Sequence, residues 1–229
     1  KGNDEMLLLG GLTVNNALIP ARGISQISLN YDSMGNASAF YGYSLSNIFQ
    51  LETRIGSYSD VKLSSNKNAK LQNIFLGEDN FNYRFGGKLS IFSPQKGDLF
   101  WTTLRASLGR NESKNHQGYS FLELINTFRI NDLIYFNVTP KYLYSGHGSF
   151  GGIGISTHFK LLDNLHLIPE INTSLRNEPE LNSSLALRYV YKPKKSIDFY
   201  YSNAAGIQDI GELLKAEEHK FGIKVNLLF

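Results

Sequence analysis

The sequence predicts an all-β fold, an antiparallel up-and-down transmembrane β-barrel of about twelve strands, and three features of its 229 residues carry that prediction. Apolar and polar residues alternate with period two through nearly every segment after Gly23, so each strand has one apolar and one polar face. Connections also alternate in kind: SN at 46–47, SPQKGD at 93–98, ND at 131–132, LDN at 162–164 and KPKK at 192–195 are short, and those between them are mostly longer and more polar. Aromatics make up 13% of the chain and gather at strand ends. Phe49, Phe92, Phe100, Phe159 and Tyr191 fall toward the short turns, and Tyr31, Tyr83, Tyr142 and Tyr144 toward the long loops. Two such girdles suit the two interfaces of a membrane. A soluble β-sandwich also alternates, but its two-layer packing has no need of aromatics at both strand ends.

Composition removes other classes. The longest apolar-rich run, MLLLGGLTV at 6–14, is about half the ~20 residues that a spanning helix needs. It follows Asp4 and Glu5 rather than a basic flank, so it is not a signal peptide, and Lys1 is expected to lie in a processed chain. The absence of Cys excludes a disulfide framework and a thiolate metal site. A net charge of +3, with no basic run beside a recognition motif, gives no reason to expect nucleic acid. No cofactor and no metal are expected. The N-x-S/T matches at Asn111, Asn137, Asn172 and Asn182 are read as chance in an Asn- and Ser-rich chain.

Residues 1–21 are expected to form a periplasmic N-terminal tail or a plug folded into the pore, and residues 22–229 the barrel. Strand one sends Ile27, Leu29 and Tyr31 outward, strand two Tyr41, Tyr43 and Leu45, and strand three Phe49, Leu51 and Ile55 against inward Gln50, Glu52 and Arg54. A polar connection from Ser57 to Asn80 precedes strand four, where Phe81, Tyr83, Phe85, Leu89 and Ile91 oppose Asn82, Arg84, Lys88 and Ser90. Strand five places Phe100, Leu104, Ala106 and Leu108 against Trp101, Thr103, Arg105 and Ser107. Strand six is less regular: turning Glu123 and Arg129 inward sends Asn126 outward among Leu122, Leu124 and Phe128, which a β-bulge would relieve.

Strand seven has Phe136, Val138 and Tyr142 outward, strand eight Ile153, Ile155, Thr157 and Phe159, and strand nine Leu165, Leu167 and Ile171. Leu185, Leu187, Tyr189 and Tyr191 give strand ten its outer face, and Ile197, Phe199 and Tyr201 that of strand eleven. Pro140 and Pro169 fall inside strands seven and nine; lacking an N–H, each predicts a bulge or an interruption. In the loop GIQDIGELLKAEE, Ile207, Ile210, Leu213 and Leu214 have helical spacing, which predicts an amphipathic turn capping the pore or docking a partner.

The chain ends in HKFGIKVNLLF, with Phe221, Ile223, Val225, Leu227 and Phe229 on one face and Lys220, Gly222, Lys224 and Asn226 on the other. Lys220, Gly222, Val225, Leu227 and the terminal Phe229 together resemble the closing strand of Gram-negative outer-membrane β-barrels. The resemblance implies a porin-like barrel in the cell outer membrane, and an assembly signal at Gly222, Val225, Leu227 and Phe229 that is read by the barrel-assembly machinery. It also implies outer-membrane lipid and lipopolysaccharide as surroundings. Short turns belong to the periplasmic side of such barrels, which places both termini in the periplasm.

Face assignment sends ten basic residues inward: Arg54, Arg84, Lys88, Arg105, Arg129, Lys141, Lys160, Arg188, Lys220 and Lys224, against Glu52, Glu123, Glu170 and Asp198. All but Lys160 are candidate pore-lining, anion-attracting residues. Twelve tilted strands enclose a backbone cylinder of roughly 25 Å, and a surplus of one charge inside it enriches the opposite ion. The expected function is therefore passive diffusion of small, preferentially anionic solutes. Two alternatives stand beside it. One is a closed barrel, filled by paired charges, that serves structure or a partner in adhesion or export. The other is an outer-membrane lipid-modifying enzyme, for which His158 and His166, inward across one turn and near Glu170, are the candidates; His116, His147 and His219 sit toward the loops. No nucleophile motif accompanies them, so no catalytic residue is assigned.

Overall fold

The structure, a computed structural model, describes the chain except for residues 1–8, 59–62, 65–79, 113–117, 147, 177–178 and 208. The expectations for His116, His147 and most of the 57–80 connection fall outside the described residues. Twelve strands follow one another: β1 (Ser25–Asp32), β2 (Ala37–Ser46), β3 (Phe49–Tyr58), β4 (Asn80–Phe92), β5 (Trp101–Asn111), β6 (Gly118–Asn131), β7 (Ile134–Ser145), β8 (Gly148–Leu162), β9 (Leu165–Leu175), β10 (Leu181–Lys192), β11 (Lys195–Ala204) and β12 (Lys215–Leu228). Each pairs antiparallel with its sequence neighbours, and β1 closes on β12, with Gln26 opposite Leu228 and Asp32 opposite Gly222. Closure leaves no strand edge whose N–H and C=O groups would face hydrocarbon unpaired.

Burial is inverted relative to a soluble protein. Leu29, Phe85, Leu108, Phe199 and Phe221 are all at least half exposed, while Arg84, Lys88, Arg105, Glu123, Lys141 and Arg188 are buried. An apolar outer wall around a polar interior is the arrangement of a transmembrane barrel. At the short-turn end Phe100, just before β5, runs side by side with Phe128 of β6 and Phe136 of β7, with ring centroids 4.9 and 6.5 Å apart. At the other end Tyr201 lies between His219 and Phe221, at 4.9 and 4.8 Å.

Register shifts between Ser44 and Ser46, Ser90 and Phe92, Arg129 and Asn131, Lys160 and Leu162, and Val190 and Lys192 mark every short turn. One more, between Ser202 and Ala204, stands where the chain leaves the wall for the lumen.

Each proline interrupts the ladder locally, without a bulge and without ending its strand. β7 and β9 run unbroken through Pro140 and Pro169, and the register is the same on both sides of each. What is lost is local: the β6–β7 pairing skips Leu124 and Ile125 opposite Pro140 and Thr139, and the β8–β9 pairing skips Thr157 and His158 opposite Pro169 and Ile168. A single missing N–H produces such a gap. Asn126 needs no bulge either. Its side-chain amide donates to Leu124 O at 3.1 Å and Val138 O at 3.2 Å, and its carbonyl accepts from Thr102 Oγ1 at 2.9 Å. Outward Asn126 thus supplies the donor that Pro140 withholds from the Leu124 carbonyl.

The last strand starts four residues earlier than its apolar pattern predicts, at Lys215, and the predicted helix is a single turn, α1 (Ile210–Leu213). The segment folds back on itself, Ala205 N donating to Leu214 O and Gly206 N to Gly211 O, which leaves no length for more helix. Gly222 has a packing reason to be glycine. It pairs with Tyr200, and a Cβ at Gly222 would stand 2.1 Å from the Tyr200 ring. Gly222→Ala is expected to cost about 1–3 kcal/mol by displacing that ring, measured as a lower midpoint in heat-modifiability or urea unfolding; an unchanged midpoint would show that the ring has room to move.

Candidate functional site

Two stretches of non-strand chain occupy the lumen, and most of the buried wall cations hold them. Residues 9–18 run along the inside of the barrel. Arg188 donates to Gly10 O at 2.9 Å and Leu9 O at 3.5 Å, Lys224 Nζ to Gly11 O at 2.9 Å, and Lys141 Nζ to Thr13 O at 2.7 Å. Lys88 Nζ donates to Asn16 O and Leu18 O at 3.0 and 3.3 Å, and Thr103 Oγ1 to Ala17 O at 2.6 Å. In return the segment supplies donors to an acid: Leu12 N at 2.9 Å, Thr13 N at 2.8 Å, Thr13 Oγ1 at 2.9 Å and Val14 N at 3.3 Å all reach the Glu170 carboxylate. Charge-assisted bonds of this kind are the strong ones, so polar groups of wall and segment satisfy each other.

The second stretch, residues 205–207 and 209–214, brings Asp209 and Glu212 into the barrel. Asp209 Oδ1 lies 2.5 Å from Arg84 and 3.3 Å from Arg105, while Oδ2 accepts from Ser107 Oγ and Tyr119 OH at 3.1 and 3.0 Å. Glu212 meets Lys141 Nζ at 2.6 Å. Arg105 also bonds Glu52 at 2.8 Å and Glu123. Ile210, Leu213 and Leu214 pack with Leu63, Phe121, Leu143 and Phe150 inside the barrel, and Leu12 with Ile168, Tyr200 and Ile207.

The wall makes room through β8, whose inward positions are Phe150, Gly152, Gly154, Ser156 and His158. A Cβ on Gly152 would stand 2.4 Å from Leu213, and one on Gly154 3.0 Å from Val14. Between residues 9–15 and the strands remains a cavity of about 30 Å³ bordered by Gln26, Arg54, Arg84, Lys88 and Lys224, space for a water molecule or two.

These positions correct the charge expected from strand phase. Besides His158 and His166, the buried basic side chains are Arg84, Lys88, Arg105, Lys141, Arg188, Lys220 and Lys224 and the buried acids Asp32, Glu52, Glu123, Glu170, Asp198, Asp209 and Glu212, seven of each among the described residues. Arg54 is half-buried and donates to Ile207 O at 3.0 Å. Arg129 keeps the inward phase but stands at the mouth, half exposed and paired with Asp132 at 2.5 Å, because β6 outruns the lumen there. Lys160 likewise pairs with Asp163 in the adjoining turn at 3.1 Å. Arg188 grips Asp198 through two bonds of 2.7 and 2.8 Å, and Lys220 lies 3.5 Å from Asp32.

The acids that strand phase overlooked had different visibility. Asp32 simply continues Gln26, Ser28 and Asn30 by one more inward step. Asp209 and Glu212 sit in the amphipathic loop among the apolar residues that drew attention to it. Nothing local marked Ser107 and Tyr119 as partners of Asp209.

His158 and His166 do meet, Nε2 to Nδ1 at 2.8 Å, whereas Glu170 is engaged by the amides of residues 12–14. Among the described residues no group of three or more His, Cys, Asp or Glu is arranged to hold a metal ion.

No family model matches the sequence, and no curated protein does. Solved structures do match in fold. A KdgM porin superposes with a TM-score of 0.65 at 8% identity, over 90% of this chain and 99% of that one. An outer membrane channel of Pseudomonas putida F1 gives 0.59 at 10% identity, over 93% and 98%, and a NanC porin 0.58 at 9%, over 89% and 98%. The chain thus has the fold of outer-membrane porins.

Proposed function

We propose that this barrel is an outer-membrane channel of the porin kind, with both termini periplasmic, for passive diffusion of small, preferentially anionic solutes. One observation carries the reading: each buried wall cation is bonded by acceptors from the two lumen stretches, and among the described residues the wall supplies Lys88 and Lys224 no direct partner. Lys88 and Lys224 donate to backbone carbonyls of residues 11–18, and Asp209 and Glu212 reach Arg84, Arg105 and Lys141 from a connection. On the strands themselves the seven buried cations face five acids, so withdrawal of the two stretches leaves a basic passage. The neighbours in fold support it, all three being channels or porins, and a KdgM porin has been solved in complex with oligogalacturonate.

The test is single-channel conductance of the refolded protein in a planar bilayer under a salt gradient. The expected reversal potential favours anions, and Lys88→Gln with Lys224→Gln is expected to lower the preference about fivefold, the effect of ~1 kcal/mol for a charge near a water-filled path. Both lysines bond carbonyls, so neutralising them strands no carboxylate partner. An unchanged reversal potential would remove the anion preference from the proposal.

The filled lumen favours a second reading, a permanently closed barrel that serves structure or a partner. It requires that a folded protein pass no current under any condition. Enzymatic chemistry has no comparable support, since the buried histidines bond each other and the fold neighbours are channels.

A further inference from the structure

Asp209 has an address in the lumen that its own helix does not explain. It is fully buried, and its side chain makes no capping bond to the helical turn it precedes. Its φ of 44° is costly for a residue with a side chain. That conformation carries its carboxylate to Arg84, Arg105, Ser107 and Tyr119, which stand on three consecutive strands, β4, β5 and β6. Guanidinium donors take one oxygen and hydroxyl donors the other, an arrangement matched to a two-oxygen anion. The surroundings are short of negative charge without the loop. Arg84, Lys88, Arg105 and Lys141 face Glu52 and Glu123, a formal surplus of two that Asp209 and Glu212 cancel.

We propose that Arg84, Arg105, Ser107 and Tyr119 form a carboxylate-binding subsite, which Asp209 occupies as a tethered internal ligand. A carboxylate-bearing solute takes its place and releases Asp209, with the helical turn that follows it, from the lumen. This rests on the channel reading and adds to it a solute class and a gate. The tether presents Asp209 at an effective concentration of order millimolar, lowered further by its backbone strain, so free carboxylates compete at about that level.

The experiment is single-channel recording of the full chain, wild type and Asp209→Asn, with millimolar glucuronate or glucose added. Asn has the size and shape of Asp, so the variant keeps the fit of the side chain while losing its charge. Its open probability is expected to rise about tenfold, the population change for one charged hydrogen bond lost. Glucuronate, and not glucose, opens the wild type, and adds nothing to Asp209→Asn. The pair Ser107→Ala with Tyr119→Phe alters no charge and weakens the tethered and the free carboxylate alike, so it is expected to raise the open probability without glucuronate about tenfold and to leave the half-activating glucuronate concentration near that of the wild type. Equal open probability in wild type and Asp209→Asn, or equal responses to glucuronate and glucose, would overturn the inference and leave the channel standing. If none of these proteins, each folded by heat-modifiable migration, passes current, the channel reading fails and the subsite as a gate fails with it.

Discussion

Asn126→Leu is expected to destabilise the barrel by about 2 kcal/mol or more, although it places an apolar residue on a lipid-facing strand. The cause is Pro140 on the neighbouring strand. Its ring nitrogen cannot donate to Leu124 O, and the Asn126 side chain does so instead at 3.1 Å, near the middle of β6. Removing that donor leaves a carbonyl without a partner at membrane depth, where no water replaces it. Pro140→Ala restores the backbone donor. In that background Asn126→Leu is expected to be neutral or stabilising, since its carbonyl partner is satisfied and its polar surface has left the lipid. Urea unfolding of the four proteins of this cycle in lipid vesicles checks the reversal of sign. Equal losses in both backgrounds would mean that Asn126 acts through Thr102 or Val138 and not through the proline gap.

Gly11→Ala carries the second large effect. The Gly11 backbone approaches Glu170 so closely that a Cβ would lie 1.5 Å from Oε1, and the next three residues supply all four bonds to that carboxylate. A methyl group at this point drives the carboxylate out of its ring of amides. Loss of two or more charge-assisted bonds, each about 1.5–3 kcal/mol, shifts residues 9–18 out of the lumen by a factor of about a hundred or more. Two readouts follow. Protease added to one side of a vesicle is expected to trim the N-terminus of the variant and spare that of the wild type, and conductance is expected to rise in the channel reading. Protection identical to wild type would show that the other contacts, those of Arg188, Lys224, Lys141 and Lys88, hold the segment without Glu170.

Most of the wall is legible in the sequence. Period-two alternation is a strictly local property: each side chain points away from its neighbours, and lipid outside and polar groups inside impose opposite chemistry on the two faces. That is why the outward positions from Ile27 to Phe229, the alternation of short and long connections and the closing strand could be read residue by residue. Even Asp32 was one inward step from being read. Pro140 and Asn126 were each visible as misfits, but their relation was not, because they lie on adjacent strands and only the β6–β7 register sets them side by side.

What fills the barrel was decided by tertiary structure alone. The sequence allows residues 1–21 to be a tail or a plug, and the helical spacing of Ile207, Ile210, Leu213 and Leu214 allows a cap or a docking face, so neither pattern selects the lumen. The polar backbone of residues 9–18 becomes stable there only because Arg188, Lys224, Lys141, Lys88 and Glu170, from distant strands, converge on it. A charge count taken from strand phase therefore found the cations of the wall and overlooked Asp209 and Glu212, which come from a connection. Alternation along a strand specifies which way a side chain points, and only closure of the sheet specifies what it meets.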